Sequence, residues 1–318
     1  MCTQERQINI AKPAQPSQEL VMKLSQIASW SKRTLQKKSV RLAAFSLGAI
    51  LLLTGLLLSF RDLRSNDLTF DTQYFVVAFL FMVAFLCLQV LRFQQLCASV
   101  DHRCSFLTAS KIVIYGAIAN ILPFPGSLAM RFTYLSDKVG PKKTTAAIST
   151  DIVIWLAMTF AAVSVAWLAQ KNTDQTGIFA IAFSSAVALT SISITLAKRL
   201  NLKTPNYLLI HVVQAVISVV LIIKLQLVAK TISADISSLL ASLMTLAATL
   251  TTTIGVVPGG LGISEVISSS ATTALGEASF SLGFTIASLD RFLAWLALFF
   301  SVSILALVKK LRNRNQAR

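Results

Sequence analysis

Six stretches of this chain, each eighteen residues or longer, are almost continuously apolar: Leu42 to Phe60, Tyr74 to Leu91, Thr144 to Ala169, Gly177 to Ala197, Tyr207 to Ala229 and Ser281 to Val308. About 20 apolar residues in a helix cross the hydrocarbon core of a bilayer. Inside it every backbone polar group must be satisfied within the segment. The expected fold is therefore an all-α polytopic membrane protein. With 55% of its 318 residues apolar and 13% charged, the composition excludes an ordinary soluble enzyme.

Two further apolar stretches are interrupted. Ile112 to Leu122 meets Pro123-Phe124-Pro125-Gly126, and Ile236 to Val257 runs through Thr251-Thr252-Thr253-Ile254-Gly255 into Pro258-Gly259-Gly260. Proline and glycine end helices at these points, so both stretches are expected to stop within the membrane as re-entrant hairpins.

The charge balance, 29 Lys and Arg against 13 Asp and Glu, reports topology before it reports a nucleic-acid partner, and none is expected. Cytoplasmic segments keep Lys and Arg. Placing both termini inside and alternating through the six spans puts 23 of these residues inside and four outside, with Lys224 and Arg291 within spans. The 41 residues before the first span are polar and basic, and no small-residue cleavage site clearly ends that span, which is expected to be a retained anchor. Within them Glu19 to Arg41 sets Leu20, Leu24, Ile27, Ala28 and Leu35 at near-helical spacing among lysines and arginines. That pattern fits an interfacial helix on an anionic leaflet. Residues 92 to 111 are a weaker candidate for a second surface helix.

The order of elements then repeats. Residues 42 to 169 read span, span, broken hairpin, span; residues 177 to 308 read the same with direction reversed, and 309 to 318 form a basic cytoplasmic tail. An inverted repeat of this kind is the layout of many transporters. Each closing span carries an aspartate followed by Trp-Leu-Ala: Asp151 before Trp155, and Asp290 before Trp295.

An ionisable side chain at bilayer depth costs at least about 2.5–3.5 kcal/mol, which makes each one a functional candidate. Asp290 and Arg291 fall roughly 15 Å along the last span, near the midplane, and Asp151 lies closer to the cytoplasm. Arg131 and Glu265 stand five residues beyond Gly126 and Gly260 at like positions with opposite sign, and form the expected central pair. Two readings are open. In one, Arg131 pairs with Glu265 or Asp151, and Arg291 with an acid on a neighbouring helix, merely neutralising charge. In the other, the breaks at Pro125-Gly126 and Pro258-Gly259-Gly260 expose helix ends to an anionic phosphate, with Arg131 and Arg291 adding charge. His211 and Lys224, nearer their span's ends, are expected to snorkel to the interface. Four cysteines without a CxxC pair and two scattered histidines indicate neither disulfide nor metal site, and no cofactor is expected. No nucleophile elbow, Walker loop or HExxH occurs, which argues against a cytosolic active site.

At these motifs the chain resembles the lysylphosphatidylglycerol synthase transmembrane-region family. The match rests on PGGLGISE at 258–265 together with Asn120, Pro123 to Arg131, Asp151 and Arg291, and covers roughly residues 42 to 308. The first motif is degenerate: Ser127-Leu128-Ala129-Met130 lacks the acidic residue usual before the arginine, and Ile152 stands where an arginine often follows the acid. The resemblance implies a bacterial inner-membrane flippase without the family's soluble synthase domain, moving a phospholipid or polyprenyl-phosphate-linked amphiphile. It adds Asn120 and Gly262 to the positions expected to meet the headgroup. Runners-up are an intramembrane enzyme on lipid-linked sugars, with Glu265 and Asp290 as acid and base, and a scaffold partner of an envelope glycosyltransferase.

Overall fold

The computed structural model describes residues 69–120, 126–170, 176–200, 202–254, 262–277 and 279–316, with Ile50 and Leu57. Among the described residues the fold is helical throughout: α1 Thr72–Ser99, α2 Phe106–Ala119, α3 Gly126–Val139, α4 Pro141–Gln170, α5 Thr176–Arg199, α6 Thr204–Thr231, α7 Ser238–Ile254, α8 Ile263–Ala274 and α9 Phe280–Gln316. Five of these, α1, α4, α5, α6 and α9, are long and apolar enough to cross a bilayer. The expected span Leu42 to Phe60 and the basic segment 1–41 lie outside the described residues.

The helix ends follow local chemistry. Asp71 caps α1 by accepting from the N–H groups of Gln73 (2.8 Å) and Tyr74 (3.4 Å), and Ser105 caps α2 by accepting from Thr108 N–H at 3.3 Å. At the start of α7, Ser237 donates from its Oγ (2.5 Å) and its N–H (2.9 Å) to the Glu277 carboxylate. Its Oγ also accepts from Leu240 N–H. Residues 92–111 do not form one surface helix: the first eight complete α1, and 106–111 begin α2. The basic stretch from 309 likewise continues α9 as helix to Gln316.

Helices α1 and α6 pack antiparallel, pinned at both ends by Asp71 N–H to Thr231 O (2.8 Å) and Lys203 N–H to Ser99 O (3.3 Å). Around them several helix contacts recur in corresponding pairs. Helix α4 packs on α7 as α9 packs on α2, and the hairpins α2/α3 and α7/α8 each turn into the long helix that follows. The interior holds charged and polar side chains among apolar clusters, and the periphery is apolar. Arg92, Asp151, Lys224, Glu265 and Thr150 are buried, whereas Ile181, Val165, Phe299 and Leu80 are exposed. In lipid, this distribution places polar groups where they can pair and leaves apolar ones facing acyl chains.

One end of the bundle is strongly basic. Tyr134 of α3 reaches His102 at 3.0 Å in the α1–α2 loop, and Lys203 meets Asp101 at 2.5 Å. These contacts bring Arg103, Lys138, Lys198, Arg199 and Lys203 toward one surface. Lys203 also holds the exposed Asp101 carboxyl below its ordinary range.

The hairpin α2/α3 closes on glycine. A Cβ at Gly126 would fall 2.6 Å from the carbonyl oxygen of Ala119, whereas one at Gly177 would meet nothing. Gly126→Ala is therefore expected to cost about 1–3 kcal/mol by overpacking, and Gly177→Ala to be neutral. Melting of the two variants in detergent tests this; equal melting temperatures would show that the hairpin is not closely packed.

Candidate functional site

The charged residues assemble into three groups. Arg92, the twenty-first residue of α1, is 1% exposed. It donates from Nε to Asp151 Oδ1 at 2.8 Å and from Nη2 to the Asp151 carbonyl at 2.9 Å, with its guanidinium 5.3 Å from the Trp155 ring centre. Arg131 joins this group from α3: its Nη1 is 3.7 Å from Asp151 Oδ2, its Nη2 donates to Gln89 Oε1 at 3.4 Å, and its Cζ lies 5.6 Å from the Phe93 ring centre.

Lys224, the twenty-first residue of α6, forms the second group with Asp290, the eleventh residue of α9; Nζ lies 2.6 Å from Oδ1. Asp151 is likewise the eleventh residue of α4. The pair on α1 and α4 thus recurs on α6 and α9 at identical helical positions. Because α1 and α6 run antiparallel, the two pairs sit at different levels, roughly 20 Å apart along the helix axes at 1.5 Å per residue. Each lies about 10 Å from the middle of its 28-residue helix.

The third group is Arg291 with Glu265, Nε to Oε1 at 2.6 Å, with Glu265 1% exposed. Glu265 occupies the first turn of α8, where free N–H groups and the helix dipole favour a carboxylate. The turn into α8 requires glycine at Gly262, whose φ of +76° is costly for any residue with a Cβ.

Arg131 and Glu265 are therefore not partners; each is engaged by a different carboxylate or cation on a neighbouring long helix. Lys224 does not snorkel, being 3% exposed and held by Asp290, with Met82 Sδ 3.9 Å from its Nζ. His211 packs between α5 and α6, its Nε2 3.4 Å from Ser193 Oγ. Asn120 takes a structural part as well: its Oδ1 accepts from Ser127 N–H at 2.8 Å, linking the end of α2 to the first turn of α3. Pro125, Pro258, Gly259 and Gly260 lie outside the described residues.

A cavity of about 320 Å3 runs between the first two groups. Arg131, Asp151, Trp155 and Gln89 line one part and Lys224 and Asp290 another, with Asn120, Thr249, Thr252 and Thr253 on the hairpin helices between. A second cavity of about 240 Å3 shares Asn120, Thr252 and Asp290 in its wall and adds Arg291, Ser264 and Ser268. The threonines suit a wall at this depth, since Thr252 and Thr253 donate their hydroxyls to carbonyls one turn back (2.8 and 2.7 Å). Arg92, Lys224, Gln89, Trp155 and these threonines were not singled out as site residues from the sequence. The matched positions of Arg92 and Lys224, each upstream of a closing-span aspartate, were the available signal.

No protein-family model matches this chain, and no curated protein matches it.

Proposed function

We propose that this chain moves a phospholipid, or a polyprenyl-phosphate-linked amphiphile, between the leaflets of a bacterial cytoplasmic membrane, and is not an enzyme. One observation carries this reading: two cation–carboxylate pairs occupy equal positions on oppositely directed helices, at two levels of one cavity. A headgroup passing between leaflets needs polar groups at both levels, because hydrocarbon offers none.

In this reading Leu42 to Phe60 is a sixth crossing, and residues 42–169 and 177–308 are inverted halves that rock against each other around the cavity. The recurrence of helix contacts in corresponding pairs supports the relation. The basic end of the bundle faces the cytoplasm together with both termini, and the basic N-terminal segment lies on the anionic leaflet. Distant kinship to the lysylphosphatidylglycerol synthase transmembrane-region family accords with the Gly262–Glu265 turn and with Arg291 held against it. An envelope-biosynthesis enzyme is a natural partner for such a transporter. Glu265 and Asp290 lie against Arg291 and Lys224, which favours charge-compensated binding over acid–base chemistry by the two carboxyls.

As the halves rock, an incoming phosphate takes a place beside the arginines while the carboxylates stay paired with their own cations. Proteoliposomes with headgroup-labelled lipids test this. The native protein is expected to move lipid, and Glu265→Gln and Arg131→Ala to abolish movement while eluting as native-like monodisperse species. Absence of movement by the native protein would defeat the transport reading; native rates in both variants would defeat the site assignment.

A further inference from the structure

Resting on that reading, we infer that the cavity selects a ligand with one net negative charge, a phosphodiester whose phosphate oxygens sit against Arg131 and the indole N–H of Trp155. The inference follows from how the charges pair. Three groups hold four cations, Arg92, Arg131, Lys224 and Arg291, but three carboxylates. Each carboxylate has one close cation: Asp151 has Arg92 at 2.8 Å, Asp290 has Lys224 at 2.6 Å and Glu265 has Arg291 at 2.6 Å.

Among the described residues Arg131 is left as the surplus charge of these groups. Its contact with Asp151 is long, 3.7 Å, to a carboxylate already bonded by Arg92, which also holds the Asp151 backbone carbonyl, and its other contacts are with neutral groups, the Gln89 amide at 3.4 Å and the Phe93 ring. Arg131 Nε and Trp155 Nε1 are both buried without a hydrogen-bond partner among the described residues, and both side chains line the larger cavity. Two idle N–H donors and one uncompensated guanidinium in a cavity of this size describe a seat for an anion with two or more oxygens. A single net charge balances the site. A phosphomonoester dianion would leave it negative, and a zwitterionic headgroup would leave it positive.

A phosphodiester could come from a lipid or from a soluble ester, and the test separates them. The full chain, purified in an uncharged detergent, is offered phosphatidylglycerol, phosphatidylcholine and water-soluble glycerophosphoglycerol, and retained ligand is read by native mass spectrometry. The native protein is expected to retain phosphatidylglycerol at least about tenfold over phosphatidylcholine, and glycerophosphoglycerol weakly, since the acyl chains are missing. Arg131→Gln should bring the two lipids within about twofold, and Trp155→Phe, which keeps the ring beside Arg92, should weaken phosphatidylglycerol about threefold. Arg131→Gln is expected to fold because Asp151 keeps Arg92. Exposed Lys142→Gln, which reports on basic-surface binding, should retain the native preference. A native protein without preference, or one whose preference survives Arg131→Gln, would overturn the inference. Tighter retention of glycerophosphoglycerol than of the lipid would overturn the lipid source. Arg131-dependent binding without lipid movement in proteoliposomes would instead overturn the transport reading and leave this inference standing.

Discussion

Asp151→Ala is expected to lower stability by about 3–5 kcal/mol, because it leaves a buried guanidinium without its carboxylate. Arg92 is 1% exposed, and both its contact with Oδ1 and its cation–π contact with Trp155 hold it in place. With the carboxylate gone it cannot shed its charge, and Arg131, 3.7 Å from the same carboxylate, becomes a like-charged neighbour. The apparent melting temperature in detergent should fall by about 10 °C. The double variant Arg92→Met, Asp151→Leu should recover most of the loss, since a buried pair exchanged for apolar residues of similar size is often neutral. Arg131 would remain, but facing the cavity, where water can solvate it. Native stability in Asp151→Ala alone would mean that Arg92 is solvated or paired elsewhere.

Arg291→Met should act in the same direction on the other half, costing about 3 kcal/mol, because Glu265 would be left buried with no cation in contact. The first turn of α8 offsets part of that loss, as the helix N-terminus contributes typically 0.3–1 kcal/mol toward a nearby carboxylate. Adding Glu265→Gln to Arg291→Met removes the buried charge and should restore most of the stability. Equilibrium unfolding in mixed detergent micelles gives the three values needed for the cycle. Strict additivity of the two substitutions would show that Arg291 and Glu265 do not interact energetically, whatever their separation.

How much of this was legible in one dimension depended on the kind of question. The long helices and the two interrupted ones were, because hydrocarbon demands an internally hydrogen-bonded backbone and proline ends it. Asp151 and Asp290 also stood out, as carboxylates inside apolar runs. Their partners did not. Arg92 follows an apolar run that already has spanning length, so it reads as the first loop residue, yet α1 continues seven residues past it. Lys224 lies seven residues before the end of α6, close enough for its stem to reach an interface, and only the proximity of α9 turns it inward. Arg131 and Glu265 share a position relative to their glycine turns, which suggested a direct pair; instead each faces the long helix packed beside it.

The amino-acid order alone therefore determined that the chain is helical and built for a membrane, where two hairpins break, and which end of the bundle is basic. These are properties of contiguous segments, set by transfer of backbone and side chains out of water. Tertiary structure decided which cation answers which carboxylate, and hence that among the described residues of these groups Arg131 is left over. Ion pairing is settled by separations of 2.8 and 2.6 Å between residues 59 and 66 positions apart in the two equivalent pairs, and no count along a single helix reaches across that gap.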